Sequence, residues 1–356
     1  MKAAFMRSGS IEVGEVADPV PGPGEVLVRT LACGVCASDL HVLHHGQELV
    51  EWSRSEDGPF RMDLDQPVVL GHEFCAEILD YGPGSDHPYR RGTKVTSSPV
   101  VIGESGIFGV GLSNQYPGGF GELMVLSEAL LRPVPASLDA EVAALTEPVS
   151  VGMYYARAAA LDKTDVPLVV GCGAIGLAVI AALRRGDARP IIAADFSATR
   201  REHALLMGAD LVVDPAEVSP YAKVAGAPSA ANVIFECVGV PGVLDGVMRG
   251  AAWGALILVA GWCLETDRIF TPAAHTKGLT VKFGGGPLPD DFDVALRALG
   301  DGEIDVRSWI GDEVGLAGVA DALERLLDPS TGLRTIVRPD LPSAPAQFDL
   351  EPGEVR

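Results

Sequence analysis

From residue 166 onward the chain alternates short, wholly apolar runs with longer amphipathic stretches. The runs are "PLVV" ending at Val170, "PIIAAD" ending at Asp195, "LVVD" at 211–214, "NVIFECVG" at 232–239, "ALILVAG" at 255–261 and "LTVKFGG" at 279–285. Short runs without polar alternation suit strands covered on both faces, and the helical stretches between them serve as crossovers. The pattern predicts an α/β doubly wound parallel sheet of six strands, with any ligand lying across their carboxyl ends. The first 150 or so residues read differently: short strands broken by Pro-Gly turns, as in "PVPGPGEVLVRT" and "YGPGSD", predict a compact β-rich domain.

Length and charge narrow the picture. A chain of 356 residues is long for one core, so two domains are expected. With 27 basic and 48 acidic residues the formal charge is −21, which repels phosphate backbones and anionic lipid heads and argues against nucleic-acid or membrane partners. The N-terminus "MKAAFMRSGSIEVGEV" has no basic-then-apolar signal pattern, so a cytoplasmic location and six reduced cysteines are expected rather than a disulfide framework. Val166 to Leu183 carries no charge and imitates a membrane span, but Pro167 and its three glycines fit a buried strand, a turn and a buried helix better. The final "PDLPSAPAQFDLEPGEVR" reads as a surface strap or frayed tail.

Within the uncharged run, Gly171-Cys172-Gly173-Ala174-Ile175-Gly176 joins the first strand to a helix that continues to about Arg185. In this G-x-G-x-x-G spacing Gly171 allows the tight turn, Gly173 lets a pyrophosphate approach the backbone, and Gly176 lets the helix pack closely on the strand. The N–H groups of Ala174, Ile175 and Gly176 at the helix start then face the phosphates. A glycine-rich turn also occurs without any ligand. Context favours the dinucleotide, because Asp195 ends the second strand about 20 residues past Gly176, where a carboxylate binds an adenosine ribose. An acid there disfavours a 2′-phosphate, so NAD is expected over NADP, although Arg200 and Arg201 follow closely. Val238-Gly239 and Gly261-Trp262, just past later strands, should border the nicotinamide.

The β-rich part carries the other polar candidates: "CGVCASDLH" at 33–41, "VLGHEF" with His72 and Glu73, and "LTEPVSVG" with Glu147. Cys33-x-x-Cys36 could be half a zinc knuckle, a redox pair, or one ligand beside a bystander. A thiolate, an imidazole and a carboxylate together form a set that zinc accepts, and a catalytic zinc needs only three protein ligands, leaving a fourth place for substrate or water.

These motifs resemble the zinc-dependent medium-chain alcohol and polyol dehydrogenases, and the likeness runs from "GEVLVRTLACGVCASDLH" to "GLRTIVRPD". The resemblance implies a GroES-like β-rich catalytic domain made of residues 1–148 and 289–356, around a Rossmann NAD-binding domain at 149–288. It implies that Cys36 and His72 bind zinc and that Cys33 is a packed neighbour. "EPVSVG" is similar to the "EPLSVG" of sorbitol and butanediol dehydrogenases, which makes Glu147 the third metal ligand, directly or through water. Glu73 enters the coordination shell in parts of the family. Asp39 would fix the tautomer of His72, Ser38 and His41 would relay the alcohol proton to solvent, and Arg334 would return to the cofactor pyrophosphate.

The sequence departs from many relatives where a lobe holds a second, structural zinc on four cysteines. The matching "SSPVVIGESGIFGVGLSNQYPGGFGE" has none, so one catalytic zinc per chain is expected; that lobe could serve subunit contacts or close over the cleft. The link from His41 to His72 reads as a long loop bordering the substrate, with His44 and His45 a solvated pair. Trp52, Phe60, Phe108, Tyr116 and Trp262 are either pocket walls or ordinary core. The expected reaction is NAD-linked conversion of a small-molecule secondary alcohol or diol to its ketone, in a homodimer or homotetramer. An aldehyde or ketone reductase of the same family and a catalytically idle NAD-binding protein are the rivals.

Overall fold

The computed structural model describes residues 1–103, 106–327 and 333–342. Most of the acidic C-terminal stretch, expected as a strap or tail, lies outside the described residues.

The β-rich part opens with a hairpin of β1 (Lys2–Arg7) and β2 (Ser10–Glu15). It continues with β3 (Glu25–Gly34), helix α1 (Ala37–Ser55), β4 (Glu73–Tyr81) and β5 (Lys94–Ser97). Next come β6 (Val100–Gly103), β7 (Gly106–Gly109), β8 (Leu123–Ser127) and β9 (Leu131–Pro133). Helices α2 (Ala140–Ala144) and α3 (Thr146–Ala159) lead out of it.

The alternating half then runs β10 (Pro167–Val170), α4 (Ala174–Arg185), β11 (Ile192–Ala194), α5 (Ala198–Leu206) and β12 (Leu211–Val213). After these come β13 (Val233–Glu236), α6 (Val243–Gly250), β14 (Leu256–Val259), α7 (Thr271–Lys277) and β15 (Thr280–Phe283). The chain closes with α8 (Pro289–Gly300), β16 (Ile310–Val314), α9 (Val319–Arg325) and β17 (Arg334–Val337).

Every apolar run named from the sequence forms a strand of one six-stranded sheet, ordered β12-β11-β10-β13-β14-β15 with all pairs parallel. Strand order reverses between β10 and β13, which opens a crevice at their carboxyl ends. Both faces are covered because side chains alternate along each strand. Val169, Ala193, Phe235 and Leu258 pack with Leu177, Ala178 and Ala181 of α4 on one face. Leu168, Ile192, Ile234 and Ile257 pack with Val247 and Met248 of α6 on the other.

The second sheet, ordered β16-β17-β3-β4-β5-β9 with β8 also on β3, includes the returning chain because β17 lies antiparallel to the end of β3. Phe74, Ile78, Met124 and Phe120 fill its core. Helix α8 joins α3 and α4 in the core beside the parallel sheet. The cysteine-free lobe forms the antiparallel ribbon β6–β7, where Ile102 and Ile107 face each other and are both half exposed. No described helix is long and apolar enough to cross a membrane.

One expectation is overturned here: the link after His41 is not a loop through its first half, because α1 continues to Ser55. Its buried residues Leu40, Leu49, Val50 and Ser53 recur at helical intervals, and the helix is kinked at His45, whose φ of −124° and ψ of 20° leave the helical region.

Candidate active site

Three donor side chains converge where β3, β4 and α1 meet. Ligand atoms of Cys36, His72 and Glu73 all lie within 4.8 Å of one another. Each is placed by local backbone. Cys36 stands at the N-cap of α1 with extended φ and ψ, and its N–H donates to Asp39 Oδ2 at 3.0 Å, one half of a capping box. His72 follows Gly71, whose φ of +98° sits in the region that favours glycine, and a methyl at Gly71 would strike Phe120 and Cys33. Glu73 is the first residue of β4, fully buried, with Oε1 accepting from Arg334 Nη2 at 2.8 Å.

The donor chemistry fits a zinc ion. A thiol, an imidazole and a carboxylate are all groups zinc accepts, and Glu73 Oε2 is buried with no hydrogen-bond partner among the described residues, an orphan that a cation would satisfy. Around them sit Asp39, 1% exposed, and Arg334, 5% exposed. Burial works against a charge on His72, but Asp39 and Cys36 outweigh it and hold its proton affinity well above that of an ordinary imidazole. Asp39 Oδ1 lies 3.2 Å from His72 Nδ1, beside the ring nitrogen it was expected to orient, although the contact is too bent for a hydrogen bond. Ser38 Oγ is 3.2 Å from His72 Nε2 on the opposite edge of the ring.

Glu147, the expected third ligand, is outside this group of three. It sits in the first turn of α3, half-buried, close enough to feel the same charges. Its carboxyl is pushed up to about 7, chiefly by burial, with His72 and Arg334 opposing and Glu73 and Asp39 adding to the rise. The carboxylate that the fold brings into the cluster is Glu73. The resemblance leaves Glu73 open, because this glutamate enters the coordination shell only in parts of the family; its orientation here follows from the partner strand. Gly34 on β3 pairs with Glu73 across the sheet, and a methyl at Gly34 would run into Glu73 Oε2, a constraint sequence reasoning missed.

Cys33 is a core residue, as expected. It is fully buried, its thiol points toward the Gly34 carbonyl at 3.6 Å, and Gly71 and Gly119 crowd its sulfur so closely that neither could carry a methyl without moving it. His41 lies on α1 one turn beyond Ser38 and is half-buried rather than open to solvent. Burial lowers its pKa, His45 and His44 add to the fall, and Glu265 opposes it. Arg334, expected at a cofactor pyrophosphate, pairs with Glu73 and reaches Cys36 Sγ at 3.8 Å. A guanidinium wedged behind the cluster neutralises a carboxylate that burial would otherwise penalise.

The aromatic candidates divide. Phe108 and Tyr116 are core, with Tyr116 donating to buried Glu25 Oε1 at 2.8 Å. Trp52, Phe60 and Trp262 form a run of rings with centroids 6.3 and 5.7 Å apart, tying α1 to the loop after β14. His44 and His45 diverge as expected, their ring centroids 6.4 Å apart and edge to face, while His45 Nε2 sits 3.9 Å from Glu265 Oε1.

At the crevice of the parallel sheet the glycine loop has the shape a dinucleotide needs. Gly171 has φ +89°, a methyl on Gly176 would strike the Gly171 carbonyl, and Gly173 at the N-cap of α4 faces open space where a methyl would meet nothing within 4 Å. That open cradle lies against the free N–H groups of Ala174, Ile175 and Gly176 at the helix start. Asp195 stands at the end of β11, its two oxygens accepting from the N–H groups of Cys172 and Ser197, both at 2.8 Å. Val238 and Gly261 border the crevice on the far side of the switch point, where Gly261 N–H donates to the Glu236 carbonyl at 2.8 Å.

Comparison with known proteins agrees with this geometry. Residues 22–136 match the family model for the alcohol dehydrogenase GroES-like domain, and residues 174–300 match the model for zinc-binding dehydrogenases. The chain is 33% identical over 357 residues to (R,R)-butanediol dehydrogenase of Bacillus subtilis, covering 96% of this chain and all of that one. It is 26% identical to sorbitol dehydrogenase of the same organism, covering 92% of this chain and 94% of the relative. The crystal structure of 2R,3R-butanediol dehydrogenase from Bacillus subtilis superposes with a TM-score of 0.78 at 28% identity, spanning 95% of this chain and 99% of the other. Matched at both domains and along nearly its whole length, the chain belongs to the zinc-dependent medium-chain alcohol and polyol dehydrogenases.

Proposed function

We propose that this NAD-linked dehydrogenase oxidises a secondary alcohol or vicinal diol to the ketone, with one zinc per chain held by Cys36, His72 and a carboxylate. The observation that carries the reading is the convergence of the Cys36, His72 and Glu73 donor atoms, with Ser38 on the His72 ring beside them. The full-length likeness to a butanediol dehydrogenase supports the diol class. Glu73 is the carboxylate favoured by geometry, and Glu147, whose carboxyl feels the charges of His72 and Glu73, is the alternative.

Zinc bound there would act as a Lewis acid that lowers the pKa of a substrate hydroxyl, and NAD would accept the hydride. The chain supplies the rest. Ser38 takes the hydroxyl proton and His41, one helical turn on and held neutral by its burial, carries it toward solvent. Asp39 orients His72, and Arg334 balances Glu73. Asp195 receives the adenosine ribose and repels a 2′-phosphate, which favours NAD over NADP.

Six unpaired cysteines support a reducing, cytoplasmic setting. The side of edge strand β15 that is unpaired among the described residues, with Phe283 67% exposed, supports assembly of copies through that edge as a homodimer or homotetramer.

NADH formation at about 340 nm should be followed with secondary alcohols, diols and polyols before chelation, after it, and after zinc is returned. Turnover that vanishes with the metal and returns with it is the expected result. Turnover indifferent to zinc would remove the role given to Cys36, His72 and Glu73.

A further inference from the structure

Glu236 is a buried acid that the scheme above does not use. It ends β13, the strand beside the switch point on the nicotinamide side, and is 2% exposed. Its side chain and carbonyl hold two loops at once. Oε1 accepts from the N–H groups of Val238 at 2.7 Å and Gly239 at 3.0 Å. Its backbone oxygen accepts from Ala260 at 2.7 Å and Gly261 at 2.8 Å. Gly261 leaves room for the carboxylate, since a methyl there would come within 2.8 Å of Oε2.

Four hydrogen bonds from residues in two loops would be served as well by a neutral glutamine, so the architecture alone does not call for a charge. Burial pushes the Glu236 pKa up and Asp267 adds to that, while the N–H bonds from Gly239 and Val238 favour the ionised form. No lysine or arginine is bonded to it among the described residues. The N–H groups of Val238 and Gly239 stabilise the carboxylate form, and a carboxylate with no bonded cationic side chain among the described residues would attract a cation brought into the crevice.

We propose that Glu236 is a positioning residue whose charge favours the oxidised cofactor. The nicotinamide ring of NAD⁺ is cationic, and accepting a hydride makes it neutral. A buried carboxylate beside the loops at Val238 and Gly261 therefore binds NAD⁺ more tightly, relative to NADH, than a neutral group would. This inference rests on the cofactor reading of the crevice made above.

The test is the pair of dissociation constants for NAD⁺ and NADH, measured by calorimetry on the full-length protein at about pH 8 to keep the carboxylate ionised. In Glu236→Gln, which keeps an oxygen acceptor, NAD⁺ should weaken relative to NADH by about fivefold or more, the scale of a unit charge acting through a protein interior. Glu236→Asp keeps the charge but shortens its reach, and should weaken both forms while leaving most of their ratio. Melting temperatures of both variants accompany the titrations. Equal weakening of the two forms in Glu236→Gln, or none, would reduce Glu236 to a loop staple and overturn the proposal. Failure of the unaltered protein to bind either form would overturn the cofactor reading itself, and this inference with it.

Discussion

Glu73 and Arg334 are each almost removed from water, and neither charge could stay there without the other. Replacing Arg334 with methionine keeps the volume but strands the carboxylate, and should cost about 3–5 kcal/mol in denaturant unfolding. A subtler change should act through the metal. Gly34→Ala drives a methyl against Glu73 Oε2, so it should cost about 1–3 kcal/mol of stability and lower the zinc retained on gel filtration. Full zinc content with unaltered unfolding would show that Glu73 has room to move, and that the carboxylate position belongs to Glu147.

Helix α3 begins at the site with Glu147 and is held near its other end by a bidentate pair in which Arg157 Nε and Nη2 donate to Asp291 of α8 at 2.8 and 2.7 Å. Burial would raise the Asp291 pKa, but Arg157 and the Leu288 N–H outweigh it and hold the carboxyl below its ordinary range. The folded-state value is thus depressed. The contribution to stability is complete above the unfolded carboxylate value, about 4, and is lost as pH falls through the folded one. Arg157 is half exposed, so solvent screening leaves about 1 kcal/mol or less. Asp291→Asn should therefore unfold slightly more easily at neutral pH and match the unaltered protein in strong acid. A gap that persists at the lowest pH would point to lost packing instead.

Across the whole molecule, the loop after β14 reaches from the parallel sheet to the β-rich half. Trp262 stacks on Phe60, Leu264 packs on the core of the β-rich half, and Glu265 approaches His45. Edge strand β15 has one side unpaired among the described residues and carries exposed Phe283. A lysine at an exposed strand edge discourages pairing, so Phe283→Lys should shift the homo-oligomer proposed through this edge toward monomers in light scattering while leaving the melting of the isolated chain little changed. A mass unchanged by the substitution would overturn assembly through this edge.

Sequence alone determined the parallel sheet, because strands buried on both faces must be apolar throughout, and each of the runs from "PLVV" to "LTVKFGG" became a strand. It also determined the glycine loop, where only backbone space decides, and the pairing of Cys36 with His72. It did not disclose α1, whose few buried residues are scattered among histidines and acids and whose period breaks at His45. Nor did it show that Glu73 would join Cys36 and His72 within 4.8 Å, or that Arg334 would pair with Glu73. Those outcomes depend on which way a side chain points once β3, β4 and β17 are in register. Register brings residues hundreds of positions apart within hydrogen-bonding distance, a relation that no local pattern in the chain records.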